Sequence, residues 1–140
     1  MIGVLLDTSV LIADERKIWD LAAFLEKHVR KAQVGISAIT ASEFEEGVHR
    51  APPGKRREQR REFYKFIVEN YPVMPFDLET ASTHAQLRPE LRKTGILIGP
   101  HDLMIAATAL HLGWEIATLN TSEFSRVPGL TLSPVEPYWV

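Results

Sequence analysis

Ile2-Gly3-Val4-Leu5-Leu6-Asp7-Thr8-Ser9 decides how the rest of the chain is read. An unbroken apolar run closed by capping residue types predicts a strand buried on both faces. In an open parallel α/β sheet, ligands bind in the crevice outside the carboxyl ends of the strands. Asp7 would sit at such an end. Asp7, Thr8 and Ser9 are also good N-cap residues. This stretch alone therefore leaves two readings open, a cap for the next helix or a carboxylate of a site.

With 140 residues, 45% hydrophobic and 24% charged, the chain is expected to form one domain over residues 1–140 around a real core. It has no cysteine, which excludes a disulfide scaffold, a thiol nucleophile and a thiolate metal site, and fits a reducing cytoplasm. No apolar run approaches the roughly 18 residues of a membrane span. The N-terminus lacks the basic region and cleavage site of a secretory leader, so none is expected. Net charge is −2, yet Arg50, Lys55, Arg56, Arg57, Arg60 and Arg61 fall in one segment. Such a stripe either contacts phosphates or is a solvated helix face.

Outward from the first strand, helical and extended patterns alternate. A helical turn is predicted at 10–14, and Ile18, Leu21, Ala22, Leu25 and Val29 keep the spacing of an amphipathic helix. A strand at 34–37 leads to a helix opening at 39–44 and ending near 47–49, and Ala51-Pro52-Pro53-Gly54 breaks the chain. The basic helix, 55–70, turns Phe63, Phe66 and Ile67 inward, and Val73-Met74-Pro75 suits an edge strand. A helix at 78–87 with Ala81 and Ala85 inward is restarted by Pro89 as a short piece to Thr94. The helix at 102–112, entered through Gly99-Pro100-His101, is apolar nearly all round and belongs in a core. A strand at 114–118, a loop at 119–123 and a strand at 130–132 complete the chain. The expectation is a three-layer α/β domain with a mostly parallel sheet of four or five strands.

Polar residues recur where these elements turn over. Asp7 ends the first strand, Glu43 lies in the first turn of the helix after the second, and Asp102 opens the buried helix. Asn120 follows the strand ending at Thr118, with Glu123 just beyond. Each has a structural use: Thr40-Ala41-Ser42-Glu43 is a capping box, Asp102 complements a helix dipole, and Asn120 suits a turn. As a set they would meet at one edge of the sheet. A charge at the head of an apolar helix is costly unless paired or metal-bound. Clustered carboxylates repel one another, and a hard divalent cation removes that penalty. All-oxygen donors without cysteine or patterned histidine select Mg2+, with Mn2+ as a substitute, over zinc. Such a metal suits phosphoryl chemistry.

Four segments stand in order along nearly the whole chain. They are Leu6-Asp7-Thr8-Ser9, the helix start at 37–43, Ile98-Gly99-Pro100-His101-Asp102-Leu103-Met104-Ile105-Ala106-Ala107, and Ala117-Thr118-Leu119-Asn120-Thr121-Ser122-Glu123-Phe124. Arg126-Val127-Pro128-Gly129-Leu130 follows them. In these segments the chain resembles the PIN-domain nucleases, and more closely the VapC-type toxins of type II toxin–antitoxin pairs. The Gly-Pro-x-Asp and Thr-x-Asn-x-x-x-Phe pieces are the most specific.

The resemblance implies a three-layer α/β/α PIN-like domain and a metal-dependent endoribonuclease. Asp7, Glu43 and Asp102 match the family's most constant acids. The fourth position, often Asp, is Asn120, and Glu123 could supply the missing charge. Ser9 and Thr118 match polar positions that orient the carboxylates. One or two Mg2+ ions would be held there while water attacks phosphorus in line, leaving 3′-hydroxyl and 5′-phosphate ends. Arg56, Arg57, Arg60 and Arg61 would contact substrate phosphates. A small antitoxin would cover the acidic pocket with its C-terminal segment. A homodimer is also implied, with Phe44 and Val48 among its contacts.

Other classes fit less well. A phosphatase with an aspartyl nucleophile usually has a second Asp two residues on, where this chain has Ser9. A phosphoacceptor receiver domain needs a late strand-end Lys, which residues 114–123 lack. An inactive PIN-like binding module would not need three acids, and a free-standing RNA-processing nuclease differs in having no antitoxin. His28, His49, His84, His101 and His111 lack metal-ligand spacing; His101 adjoins Asp102 and could touch substrate without acting catalytically.

Overall fold

The computed structural model describes residues 1–140. Its sheet has four parallel strands: β1 (Gly3–Leu6), β2 (Gln33–Ser37), β3 (Val73–Met74) and β4 (Glu115–Ala117), in the order β3-β2-β1-β4. β1 is central, with Val4 opposite Val34 on one side and Leu5 opposite Ile116 on the other. Period-two alternation then divides its side chains between two cores. Val4 and Leu6 join Val10, Phe24, Phe44 and Ile67, whereas Leu5 joins Leu87, Ile105, Ala106 and Phe124. This explains why the run is apolar throughout. Gly3 lies against the ring of Trp114, and a Cβ there would collide with it.

Eight-residue α1 (Thr8–Glu15) starts directly after Asp7. α2 (Leu21–Phe24) continues as a π-helical turn, Leu25–Val29. α3 (Ala38–Arg50) and α4 (Lys55–Asn70) follow, and Phe44 stacks on Phe63 and Tyr64 where they meet. α5 (Leu78–Lys93) and α6 (Pro100–Leu112) pack on the opposite face of the sheet. α6 has proline at its first position and ends on Gly113 at φ 69°, a left-handed C-cap. A short α7 (Thr121–Phe124) and a 3-10 turn, Glu136–Tyr138, complete the fold.

Several expectations are corrected. The helix expected over 18–29 begins only at Leu21, capped by Asp20, because Lys17 takes φ 61° and Trp19 turns inward. Trp19 is held there by its indole N–H, which donates to the Val135 carbonyl at 2.9 Å. Phe66 is exposed; Tyr64 shares with Phe63 the packing against Phe44. Pro89 does not break α5, whose buried residues are Thr80, Leu87 and Leu91; Ala85 is exposed. The carbonyl that loses its partner to Pro89 is that of Ala85, on the wet side, where water can serve it. Residues 130–132 make a single bridge, Ile116 to Leu132, so the sheet stops at four strands. Phe44 and Val48 are 3% and 2% exposed and lie in the core, so neither is a dimer contact.

Candidate active site

The ladder between β1 and β4 runs one residue past the strands, with the Asp7 amide donating to the Ala117 carbonyl at 2.9 Å. That bond sets Asp7 beside Thr118. Asp7 is the N-cap residue of α1, but its side chain caps nothing. Its Oδ2 instead accepts the hydroxyls of Ser9 at 2.8 Å and Thr118 at 2.7 Å. Both hydroxyls are fixed in turn: Ser9 Oγ accepts from the Leu119 amide, and Thr118 Oγ1 accepts from the Asn120 amide. Of the two uses left open by the sequence, capping is one the side chain does not perform. Asp7 is 4% exposed with no cation against it, and burial pushes its carboxyl above the ordinary value.

Glu43 arrives from α3. The N-cap there is Ser37, whose hydroxyl accepts from the Thr40 amide, so Thr40 is not a cap and the expected capping box does not form. Glu43 sits a turn deeper and is free to point outward. Its Oε1 accepts the Thr8 hydroxyl at 2.7 Å, and its Oε2 lies 3.3 Å from His101 Nδ1. Thr8 and His101 are thus part of the cluster, though spacing gave neither a role. The signal for Thr8 was its place next to Asp7, where a strand passes into a helix and successive side chains diverge.

Asp102 enters from the first turn of α6. Asn120 Nδ2 donates to Asp102 Oδ2 at 3.4 Å and to Glu123 Oε2 at 2.6 Å. The amide acts here as a donor between two acids. Glu123 Oε1 accepts from the Gly99 amide at 2.7 Å, and this bond is the main cause holding its carboxyl below the usual range. Asp102 has no such anchor. Burial first, then its hydrogen bond with Glu123 and the charges of Asp7, Glu123 and Glu43, push its carboxyl up to about 7.

Asp7, Glu43, Asp102, Asn120, Glu123, Ser9 and Thr118 therefore share one edge of the sheet. The basic stripe stands elsewhere and is partly engaged. Arg57 donates to the carbonyls of Ala51 and His49, Arg61 pairs with Glu58, and Arg60 pairs with Glu15 while lying over the Phe44 ring. Only Arg56 of the four lacks a partner within the chain.

The donor set fits a hard divalent cation. Its donors are carboxylate, amide and hydroxyl oxygens, and no Lys or Arg neutralises the buried Asp7. No three acidic or histidine side chains close into a finished cage around one point.

The PIN domain family profile matches residues 4–130. The chain is 35% identical over 133 residues to "Ribonuclease VapC" of Rickettsia bellii, covering 95% of this chain and 96% of that one. It is 30% identical over 131 residues to "tRNA(fMet)-specific endonuclease VapC" of Shigella flexneri, covering 93% and 96%. VapBC2 from Rickettsia felis, solved bound to a DNA fragment from its promoter, superposes with TM-score 0.84 at 27% identity over 94% of this chain and 97% of that one. VapBC-5 from Mycobacterium tuberculosis, a member of the VapBC family of toxin–antitoxin systems, superposes with TM-score 0.75 at 27% identity over 94% of each. The buried carboxylate after a central parallel strand, the acids gathered round it and these matches lead to one assignment: the chain belongs to the PIN-domain family, among the VapC ribonucleases.

Proposed function

We propose that this chain acts as a single nuclease domain, an Mg2+-dependent endoribonuclease that is the toxin of a toxin–antitoxin pair, with Mn2+ able to substitute. The observation that carries the reading is Asp7, a carboxylate kept buried by two hydroxyl donors, without a cation, beside Glu43 and Asp102. Asp7, Glu43 and Asp102 would hold the metal. Asn120 would assist through its oxygen after turning its amide, and Glu123 would complete the charge. Bound there, a divalent cation neutralises phosphate charge and makes water a stronger nucleophile at neutral pH.

The protein's own groups do the positioning. Both hydroxyls on Asp7 land on Oδ2, so Ser9 and Thr118 fix the carboxylate that would hold the metal. Thr8 fixes Glu43 in the same way. The Gly99 amide holds Glu123 at the mouth, and His101, 59% exposed, stands at the rim where a strand of RNA enters. The reaction is in-line hydrolysis leaving 3′-hydroxyl and 5′-phosphate ends. A cognate antitoxin covering the acids would restrain it, and a homodimer would be the working form. No helix is long and apolar enough to cross a membrane; the proposed setting is the cytoplasm.

The test is cleavage of total RNA by protein purified free of any partner. Mg2+ should support cutting and EDTA should stop it; cleavage that survives chelation refutes the mechanism. A finer outcome concerns Thr8. Thr8→Val removes the donor on Glu43 and should weaken Mn2+ binding about 10- to 100-fold, as losses of groups that orient metal ligands do. Thr8→Ser keeps the hydroxyl and should stay near wild type. A calorimetric titration separates the two.

A further inference from the structure

Asp102 stands three residues after Gly99, the N-cap residue of α6. An acid at that position commonly turns back onto the amide of the N-cap residue, as the acid of a capping box does. Asp102 is near enough to compete for it, since a Cβ on Gly99 would lie 3.9 Å from Asp102 Oδ2. The amide is already taken. It donates to Glu123 Oε1 at 2.7 Å, a carboxylate 24 residues away in sequence. Asp102 Oδ2 instead meets Asn120 Nδ2 at 3.4 Å, among the other acids.

Glu123 can serve this amide only while the loop before α6 stays in place. Arg126, one turn on, holds that loop: its Nη2 donates to the Leu97 carbonyl at 3.1 Å. Glu123 and Arg126 therefore grip one stretch of backbone through groups of opposite polarity, an amide at Gly99 and a carbonyl at Leu97. Both grips start from a firm base. Phe124 and Val127 are buried in the core that also holds Leu103 and Ile105 of α6. The Arg126 amide donates to the Glu123 carbonyl, and the Val127 amide to that of Phe124. The loop itself has little else to fix it, for Leu97 is exposed and Gly95 takes φ 71°. The segment from Arg126 to Leu130 stood out in the sequence without a task; its first residue has one here.

The geometry points to Arg126 as a positioning residue of the acidic site. With Glu123 it holds the Leu97–Gly99 backbone, keeps the Gly99 amide occupied and so leaves Asp102 free to face a cation. The inference rests on the cation-site reading above. Arg126 touches neither substrate nor metal in this role. It acts through the loop, and a guanidinium suits the task because it donates in a fixed plane.

The experiment compares full-length, partner-free wild type, Arg126→Ala and Arg126→Lys by three measurements. Arg126 is exposed, so the melting temperature should stay within about 2 °C of wild type. In metal-free protein, hydrogen exchange at the Gly99 amide should become about 10-fold faster in Arg126→Ala, as its local protection is lost. Calorimetric titration should show Mn2+ bound about 10-fold more weakly by Arg126→Ala, on the scale of groups that orient metal ligands. Arg126→Lys keeps a donor for the Leu97 carbonyl and should recover most of both. Unchanged exchange and unchanged affinity overturn the assignment, as does an affinity loss that Arg126→Lys does not recover. An affinity loss that comes only with a large fall in melting temperature overturns it too, since Arg126 would then support the fold at large. Faster Gly99 exchange in a protein whose wild type binds no Mn2+ would uphold the grip on the loop and sink the cation site. Mn2+ bound equally by all three would sink the positioning role and leave the cation site standing.

Discussion

Asp7→Asn abolishes RNA cleavage and leaves the metal-free protein melting higher than its parent. The expected loss is about 1,000-fold or more, because about 4 kcal/mol of metal-supplied charge stabilisation corresponds to three decades of rate. The gain in stability follows from the same atoms. Burial lifts the Asp7 carboxyl above its ordinary value, against hydrogen bonds from Thr118 and Ser9. A carboxyl whose pKa is higher folded than unfolded opposes folding once ionised, so stability falls as pH rises from the unfolded value through the folded one. At neutral pH the asparagine removes that cost. Since both hydroxyls donate to one oxygen, the amide oxygen can take both bonds. A rise of about 2–4 °C is the scale for each kcal/mol regained. A variant that melts far below its parent would show Asp7 to be structural.

Asp102→Asn gives the second large effect, and pH displays it. The Asp102 carboxyl is raised from 3.8 to about 7 by burial, by its bond with Glu123 and by the charges of Asp7, Glu123 and Glu43. Metal-free wild type should therefore lose melting temperature steadily as pH rises across that window, from the unfolded value to about 7. Asp102→Asn should flatten most of this slope, and cleavage should drop about 100-fold, some 2.7 kcal/mol of lost stabilisation. Excess Mg2+ should flatten the wild-type slope too, since a bound cation favours the ionised acids. A variant that keeps the full wild-type pH dependence would place the repulsion elsewhere.

The fold was largely legible because its determinants are local and periodic. The apolar run of β1, Pro100 and Gly113 at the ends of α6, and the breaker before α4 each act within a few residues. The misreadings came where tertiary context decides. Pro89 is tolerated because the carbonyl it orphans faces water, and the helix start moved to Leu21 because Trp19 finds an acceptor in Val135, far along the chain. At the site, the acids could be read from their places at strand ends and helix starts. Their partners could not. Thr8 reaching Glu43, His101 beside it and the Gly99 amide on Glu123 depend on how elements distant in sequence are juxtaposed. The basic stripe shows the same limit: charge along a sequence does not say which guanidinium is already satisfied, and α4 keeps Arg57 and Arg61 for itself.

Everything rests on Asp7, Glu43 and Asp102 forming one cation site. The most direct measurement is calorimetric titration of Mn2+ into partner-free wild type and into Asp7→Asn at neutral pH. Wild type should give a saturable binding isotherm and gain melting temperature as the metal is added, and Asp7→Asn should bind about 100-fold more weakly or not at all. Equal binding by the two proteins would contradict the account, because the acid at the end of β1 would then not be a ligand.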